Sequence, residues 1–193
     1  MQSHRYLDPK TGVLRNLLGI TDADELERVA RRISIARLVE LETSPIAGSF
    51  DLDHLCRIHR HLFGDLYPWA GELRDVDISK DGHVWFCRAA IIASHATTVF
   101  RDLARAKFLV GLDRENFLTG LSTHLVEVNA LHPFFDGNGR AQRAFFSQLA
   151  RNAGFEIAWT DNKVANDAAS AAGMLGDIEQ MRMLLDPGVR ELA

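Results

Sequence analysis

Apolar residues return at helical spacing along most of this chain, and the period switches to strict alternation in one place only. Over 21–42, Leu26, Ala30, Ile33 and Leu41 fall on one face, which predicts an amphipathic helix. Thr21 is read as its N-cap, with Asp22, Asp24 and Glu25 at the positive end of the helix dipole. Asp51 caps a second helix, which buries Leu52, Leu55, Ile58 and Leu62. Segments 89–109, 113–131 and 138–154 read as three further helices, and 163–172 and 177–185 as two shorter ones. The alternation lies in 74–88. Val76 and Ile78 flank Asp77, Val84 and Phe86 flank Trp85, and Asp81-Gly82 between them signals a hairpin. Nothing else reads as strand. The expected fold is therefore all-α: one domain over 1–193, a helical bundle carrying a single β-hairpin flap at 75–87.

Composition narrows the function classes. The net charge of −4 argues against broad nucleic-acid binding. Cys56 and Cys87 form neither a disulfide framework nor a C-x-x-C zinc pair, so a reduced, cytoplasmic setting is expected. No apolar run has the length of a signal core or a membrane span. Export by a signal-independent route stays open.

The densest chemistry is in "LHPFFDGNGRAQR", 131–143. Pro133 ends the preceding helix, so His132 stands at a helix-to-loop corner, and Phe134 is expected to anchor the loop inward. Gly137, Asn138 and Gly139 lead into the next helix. A glycine-rich turn at a helix N-terminus cradles anions, because unpaired N–H groups and the dipole both favour phosphate. Arg140 and Arg143 share a face near that start, and guanidinium forks match phosphate oxygens. Asp136 is a candidate ligand for Mg²⁺, and His132 is the group in this stretch that titrates near neutrality. Together they point to a nucleotide polyphosphate and to transfer of a phosphate-containing group to an alcohol. No P-loop motif is present. His54, His59 and His61 fall on different helical faces and are read as surface or packing residues rather than zinc ligands. Trp69 is read as a core plug.

"HPFFDGNGRAQR" resembles the signature of the Fic-domain family, His-x-Phe-x-(Asp/Glu)-Gly-Asn-Gly-Arg-x-x-Arg, at every fixed position. Upstream, "FDLDHLCRIHRHLFGDLYPWAGELRDVDISKDGHVWFC" looks like the family's preceding helix, its Trp-Ala-Gly turn and its target-docking hairpin, so that the likeness covers 6–185. The resemblance implies adenylylation, the transfer of AMP from ATP to a protein hydroxyl with Mg²⁺ present. It implies His132 as base, Asp136 as metal ligand, Gly137, Asn138 and Gly139 as phosphate cradle, and Arg140 and Arg143 on the β- and γ-phosphates. The flap residues Asp77, Ile78, Ser79, Lys80, Asp81, Gly82, His83, Val84, Trp85 and Phe86 would pair with an extended target segment. Asn166 is assigned by analogy to the nucleotide pocket.

Family members are commonly restrained by (Ser/Thr)-x-x-x-Glu-(Gly/Asn). Thr21 to Glu25 fit its first five positions, but Leu26 breaks it, and an acidic first turn behind a cap accounts for the match. The resemblance is therefore to toxins held by a separate small antitoxin, here one supplying a glutamate to Arg143. One target class the likeness suggests is a type II topoisomerase subunit. The rival expectations are another transfer on the same scaffold, such as phosphorylation, and a catalytically silent nucleotide-binding module.

Overall fold

The computed structural model describes residues 5–80 and 84–192. Among them, α1 (Ala23–Thr43), α2 (Leu52–Phe63), α3 (Ile92–Arg105), α4 (Arg114–Leu131), α5 (Asn138–Asn152), α6 (Lys163–Met174) and α7 (Glu179–Leu185) form the helical body. The strands β1 (Ser79–Lys80) and β2 (Val84–Trp85) make the expected hairpin. Its register pairs Ser79 with Trp85 and Lys80 with Val84. Asp81, Gly82 and His83, assigned to its turn, lie outside the described residues.

Local chemistry sets the helix starts. Asp51 caps α2 as expected, its carboxylate accepting the His54 N–H at 2.8 Å. At α1 the cap is Asp22 rather than Thr21: Asp22 accepts the Glu25 N–H at 2.7 Å, and the helix begins one residue later. Asp113 caps α4 in the same way, through the Asn116 N–H at 2.9 Å.

The core is the seam between α4 and α5. Phe117, Leu121, Val128 and Leu131 of the first meet Phe145, Phe146 and Leu149 of the second, all fully buried. On one side α2 adds Leu55, Ile58, Leu62 and Phe63, and Trp69 plugs the turn after it. The N-terminal arm lies on this surface. Tyr6 is buried, stacks on Phe135 at 4.1 Å, and Leu17 N–H reaches Leu66 O at 2.8 Å.

A second ribbon corrects the sequence-based expectation. The strand β3 (Phe155–Ile157) pairs antiparallel with β4 (Val189–Glu191), from Phe155 opposite Glu191 to Ile157 opposite Val189. Three residues are too few to display an alternating pattern, and the partner is distant in sequence. Phe155 buries its ring against Phe117 at 4.0 Å, which draws the strand onto the core.

Where α6 crosses α4, Gly173 is needed for close approach. A Cβ there would stand 2.4 Å from Val126 Cγ2. Because valine has little rotamer freedom in a helix, Gly173→Ala should destabilise the protein by about 1–3 kcal/mol. Val126→Ala in the same chain should recover part of that loss. A double-mutant cycle by urea denaturation tests the coupling, and strictly additive costs would contradict the contact.

Candidate functional site

α4 ends because Pro133 follows, and His132 takes up a left-handed conformation at the corner, φ 42° and ψ 62°. Its N–H still reaches Val128 O at 3.1 Å. The ring stacks on Phe86 of the flap, centroids 3.7 Å apart. Nδ1 faces the Asn129 carbonyl at 3.3 Å. A carbonyl only accepts, so the proton belongs on Nδ1 and the lone pair is left on Nε2. Burial lowers the pKa to about 4, and the positive charges of Arg74 and Lys80 push the same way. The imidazole is therefore neutral, and among the described residues no hydrogen bond engages Nε2.

Arg74 holds this corner. It is 2% exposed. Nε donates to His132 O at 2.8 Å and one terminal nitrogen donates to Val76 O at 2.7 Å. The other terminal nitrogen donates to Cys87 O and, at 3.5 Å, to Leu131 O. Both stems of the flap and the end of α4 thus converge on one guanidinium.

The loop 133–137 turns inward as expected, with Phe134 fully buried. Gly137 has φ +81°, and a Cβ there would collide with the Phe63 ring at 2.5 Å, so glycine is required twice over. The first backbone hydrogen bond of α5 runs from Ala141 N–H to Gly137 O at 3.1 Å. The N–H groups of Asn138, Gly139 and Arg140 precede it and emerge from the helix end, where anions are favoured. Around Gly139, a Cβ would meet nothing within 4 Å.

The side chain of Asn138 is engaged inside the loop. It is 3% exposed and spends both polar atoms on one backbone position. Oδ1 accepts the Phe134 N–H at 2.9 Å and Nδ2 donates to Phe134 O at 2.8 Å. It ties the loop closed, and its backbone N–H alone is left for a ligand.

The two arginines diverge. Arg140 lies over the Phe63 ring at 4.5 Å, donates to Ser34 Oγ of α1 at 3.0 Å and approaches Asp136 Oδ2 at 3.5 Å. Arg143 is half-buried, and among the described residues no hydrogen bond or ion pair engages it. Desolvation lowers its pKa, with Asp161 countering and Arg140 reinforcing.

Two clefts meet here. One, of about 820 Å³, brings His132, Gly139 and Arg143 together with Ile78, Ser79, Lys80, Val84 and Phe86 of the flap and with Asn166. The other, of about 890 Å³, runs between α1 and α5 and reaches Asp136, Arg140 and Arg143. Trp159, Asp161 and Lys163 border both. Asn166 lines the first, but its amide is engaged with Thr160 O and Asn162 O at 3.2 and 2.9 Å. Within the flap, Trp85 is 63% exposed, whereas Lys80 pairs with Asp167 of α6 at 2.7 Å. Asp77 is engaged as well: its carboxylate accepts the Ala89 N–H at 2.7 Å and fixes the exit of the hairpin.

Two site residues escaped the sequence analysis. Arg74 sits after the Trp-Ala-Gly turn, where a single arginine carries no pattern. His59 is buried, as expected of a packing residue, but it also contacts the loop: Nε2 lies 2.9 Å from Asp136 O, and Nδ1 accepts the Gly71 N–H at 2.9 Å. Burial lowers its pKa to about 4. His54 is buried, with Nε2 2.8 Å from Ile46 O, and no group of three or more metal-ligating side chains occurs among the described residues. Among the described residues no helix is long and apolar enough to cross a membrane.

Known proteins resemble this chain in sequence and in fold. The Fic/DOC family matches residues 49–150. The protein adenylyltransferase VbhT of Bartonella schoenbuchensis is 49% identical over 154 residues, covering 80% of this chain. The chain spans about a third of that relative, 32% of its length. A relative from Salmonella typhimurium, described as a probable protein adenylyltransferase Fic, is 38% identical over 187 residues, 96% of this chain and 92% of its own. Among solved structures, the N-terminal Fic domain of a VirB-translocated Bep effector protein from Bartonella quintana, with bound ADP, superposes with a TM-score of 0.90. It is 25% identical, covering 98% of this chain and 96% of that one.

The buried histidines give stability a pH signature. Folded His59 and His132 resist protonation down to about 4, while the unfolded chain binds protons near 6.5. The stability tied to their neutral forms is complete above about pH 6.5, falls as pH drops, and stops falling near 4. Each contributes up to about 3 kcal/mol. Urea unfolding at pH 7.5, 5.5 and 4.5 should show that slope, and His132→Ala should flatten part of it, with the rest left to His59 and to buried His54 and His124, which are shifted the same way.

Proposed function

This chain belongs to the Fic/DOC family, and we propose that it is a protein adenylyltransferase, moving AMP from ATP to a hydroxyl side chain of a target protein. The observation that carries the proposal is the imidazole of His132, with Nδ1 turned to the Asn129 carbonyl and no hydrogen bond at Nε2 among the described residues. It opens onto one cleft with Gly139, Arg143 and the flap. The ADP bound in the Bartonella quintana domain supports a nucleotide as the occupant of that cleft.

The chemistry follows from the geometry. His132 Nε2 takes the proton of the target hydroxyl as its oxygen attacks the α-phosphorus. The bond from that phosphorus to the oxygen bridging the α- and β-phosphates breaks, and pyrophosphate leaves. The N–H groups at the start of α5, with Arg140 and Arg143, hold the phosphates and the charge that builds on the leaving group. Phe86 against the imidazole fixes its plane. The flap, with Ile78, Ser79, Val84 and exposed Trp85, presents backbone to an extended target segment and sets its hydroxyl beside His132. Lys80 and Asp77 are committed to intramolecular contacts and shape the flap.

Asp136 suits Mg²⁺. Its carboxylate is part-exposed and only loosely paired, with Arg140 at 3.5 Å. One carboxylate with substrate phosphates and water is the donor set this ion commonly takes. When bound there, the metal would neutralise phosphate charge.

The proposal extends to regulation. Arg143 is half-buried, and the cleft between α1 and α5 leads to it from outside. A separate antitoxin supplying a glutamate to Arg143 would deny that guanidinium to the nucleotide. The chain is then the toxin of such a pair, acting in the bacterial cytoplasm, with a type II topoisomerase subunit as one target class.

Incubating lysate with ATP labelled on the α- or the γ-phosphate tests the reaction. Protein should take up label from α alone. His132→Ala should cut it by about 10²-fold or more while ATP binding holds, and Arg143→Ala should raise KM for ATP about tenfold. Label from γ alone would replace this reading with phosphorylation.

A further inference from the structure

His59 stands on α2, outside both clefts, yet both of its ring nitrogens are committed. Nδ1 accepts the Gly71 N–H, so the ring proton is on Nε2, and Nε2–H donates to the carbonyl of Asp136. The ring is also clamped face to face on Phe134, 3.8 Å between centroids. We propose that His59 is a positioning residue that sets the direction of the peptide joining Asp136 to Gly137, and thereby aims the Gly137 N–H at a bound phosphate. The proposal rests on the loop acting as an anion cradle.

The argument runs through peptide geometry. Among the described residues no peptide bond is cis. Across a planar trans peptide, C=O and N–H point in opposite directions. With the Asp136 carbonyl drawn inward to α2, the Gly137 N–H faces away from α2, on the open side of the loop. There it extends the row formed by the N–H groups of Asn138, Gly139 and Arg140. A flipped peptide would set an oxygen lone pair where the anion belongs. The flip has little to oppose it locally, because the glycine demanded by φ +81° tolerates almost any backbone conformation. The donor that holds the carbonyl must therefore come from elsewhere. It comes from an imidazole whose tautomer is fixed from the far side by the turn after α2.

Two substitutions separate the two jobs of the ring. His59→Gln can keep a donor near the Nε2 position. His59→Asn can keep an acceptor for Gly71 but cannot reach Asp136 O. Titration calorimetry with ATP, and with adenosine as a probe lacking phosphates, reads the cradle whichever group the enzyme transfers. His59→Asn should lose about tenfold or more in ATP affinity, with adenosine unchanged. His59→Gln should stay within about threefold of the parent protein, while both variants melt at similarly lowered temperatures. Equal losses of ATP affinity in the two variants, or none in either, would overturn the assignment. A parent protein that binds ATP no better than adenosine would overturn the cradle itself and this inference with it. The unsubstituted protein provides a check that needs no variant: the Gly137 amide proton should move downfield in ¹⁵N–¹H spectra on saturation with ATP. If it stays in place while those of Asn138 and Gly139 move, His59 does not aim it.

Discussion

One buried guanidinium, with no carboxylate paired to it among the described residues, carries the architecture around the site. Arg74 faces the carbonyl oxygens of Val76, Cys87, Leu131 and His132. These belong to the two stems of the flap and to the end of α4. A lysine offers three donors from a single point, whereas the guanidinium spreads its donors in a plane wide enough to span them. Removing it would leave buried acceptors stranded, each at a cost of about 1–3 kcal/mol. The same charge beside His132 opposes protonation of the imidazole. The contact that fastens the flap to the end of α4 therefore also helps keep the base unprotonated.

Two histidines are held neutral by burial, to different ends. His132 has one nitrogen committed to a carbonyl and keeps the other free. His59 has both committed and keeps none. Desolvation is the leading cause of the lowered pKa in each. What separates a base from a brace is the number of partners. Phe86 and Phe134 play parallel parts, each stacked on one of the rings.

The helical body was legible because its apolar residues repeat over many turns, and the hairpin because alternation flanks Asp81-Gly82. The ribbon of Phe155–Ile157 with Val189–Glu191 was not legible, since three residues cannot establish a period and the pairing spans two intervening helices. In the loop 131–143, glycine, acid and arginine at fixed spacing suggest an anion site. Two things could not be read from it. The inward turn of the Asn138 amide depends on the tight loop that brings Phe134 back to it. The parting of Arg140 from Arg143 depends on where α1 lies, since Ser34 draws one guanidinium away while Trp159 and Asp161 border the other. Arg74 and His59 act through long-range contacts with backbone, which leave no trace in local spacing.

Arg143 borders both clefts, so ligands in the two would compete for it. Any anion that engages it from the α1 side and any polyphosphate that engages it from the flap side share one guanidinium. Linkage requires that each weaken the other by the same factor. Occupancy of either cleft would then report on the other, with no hinge and no change of fold. The abundance of the nucleotide would itself set how firmly a competing carboxylate can stay.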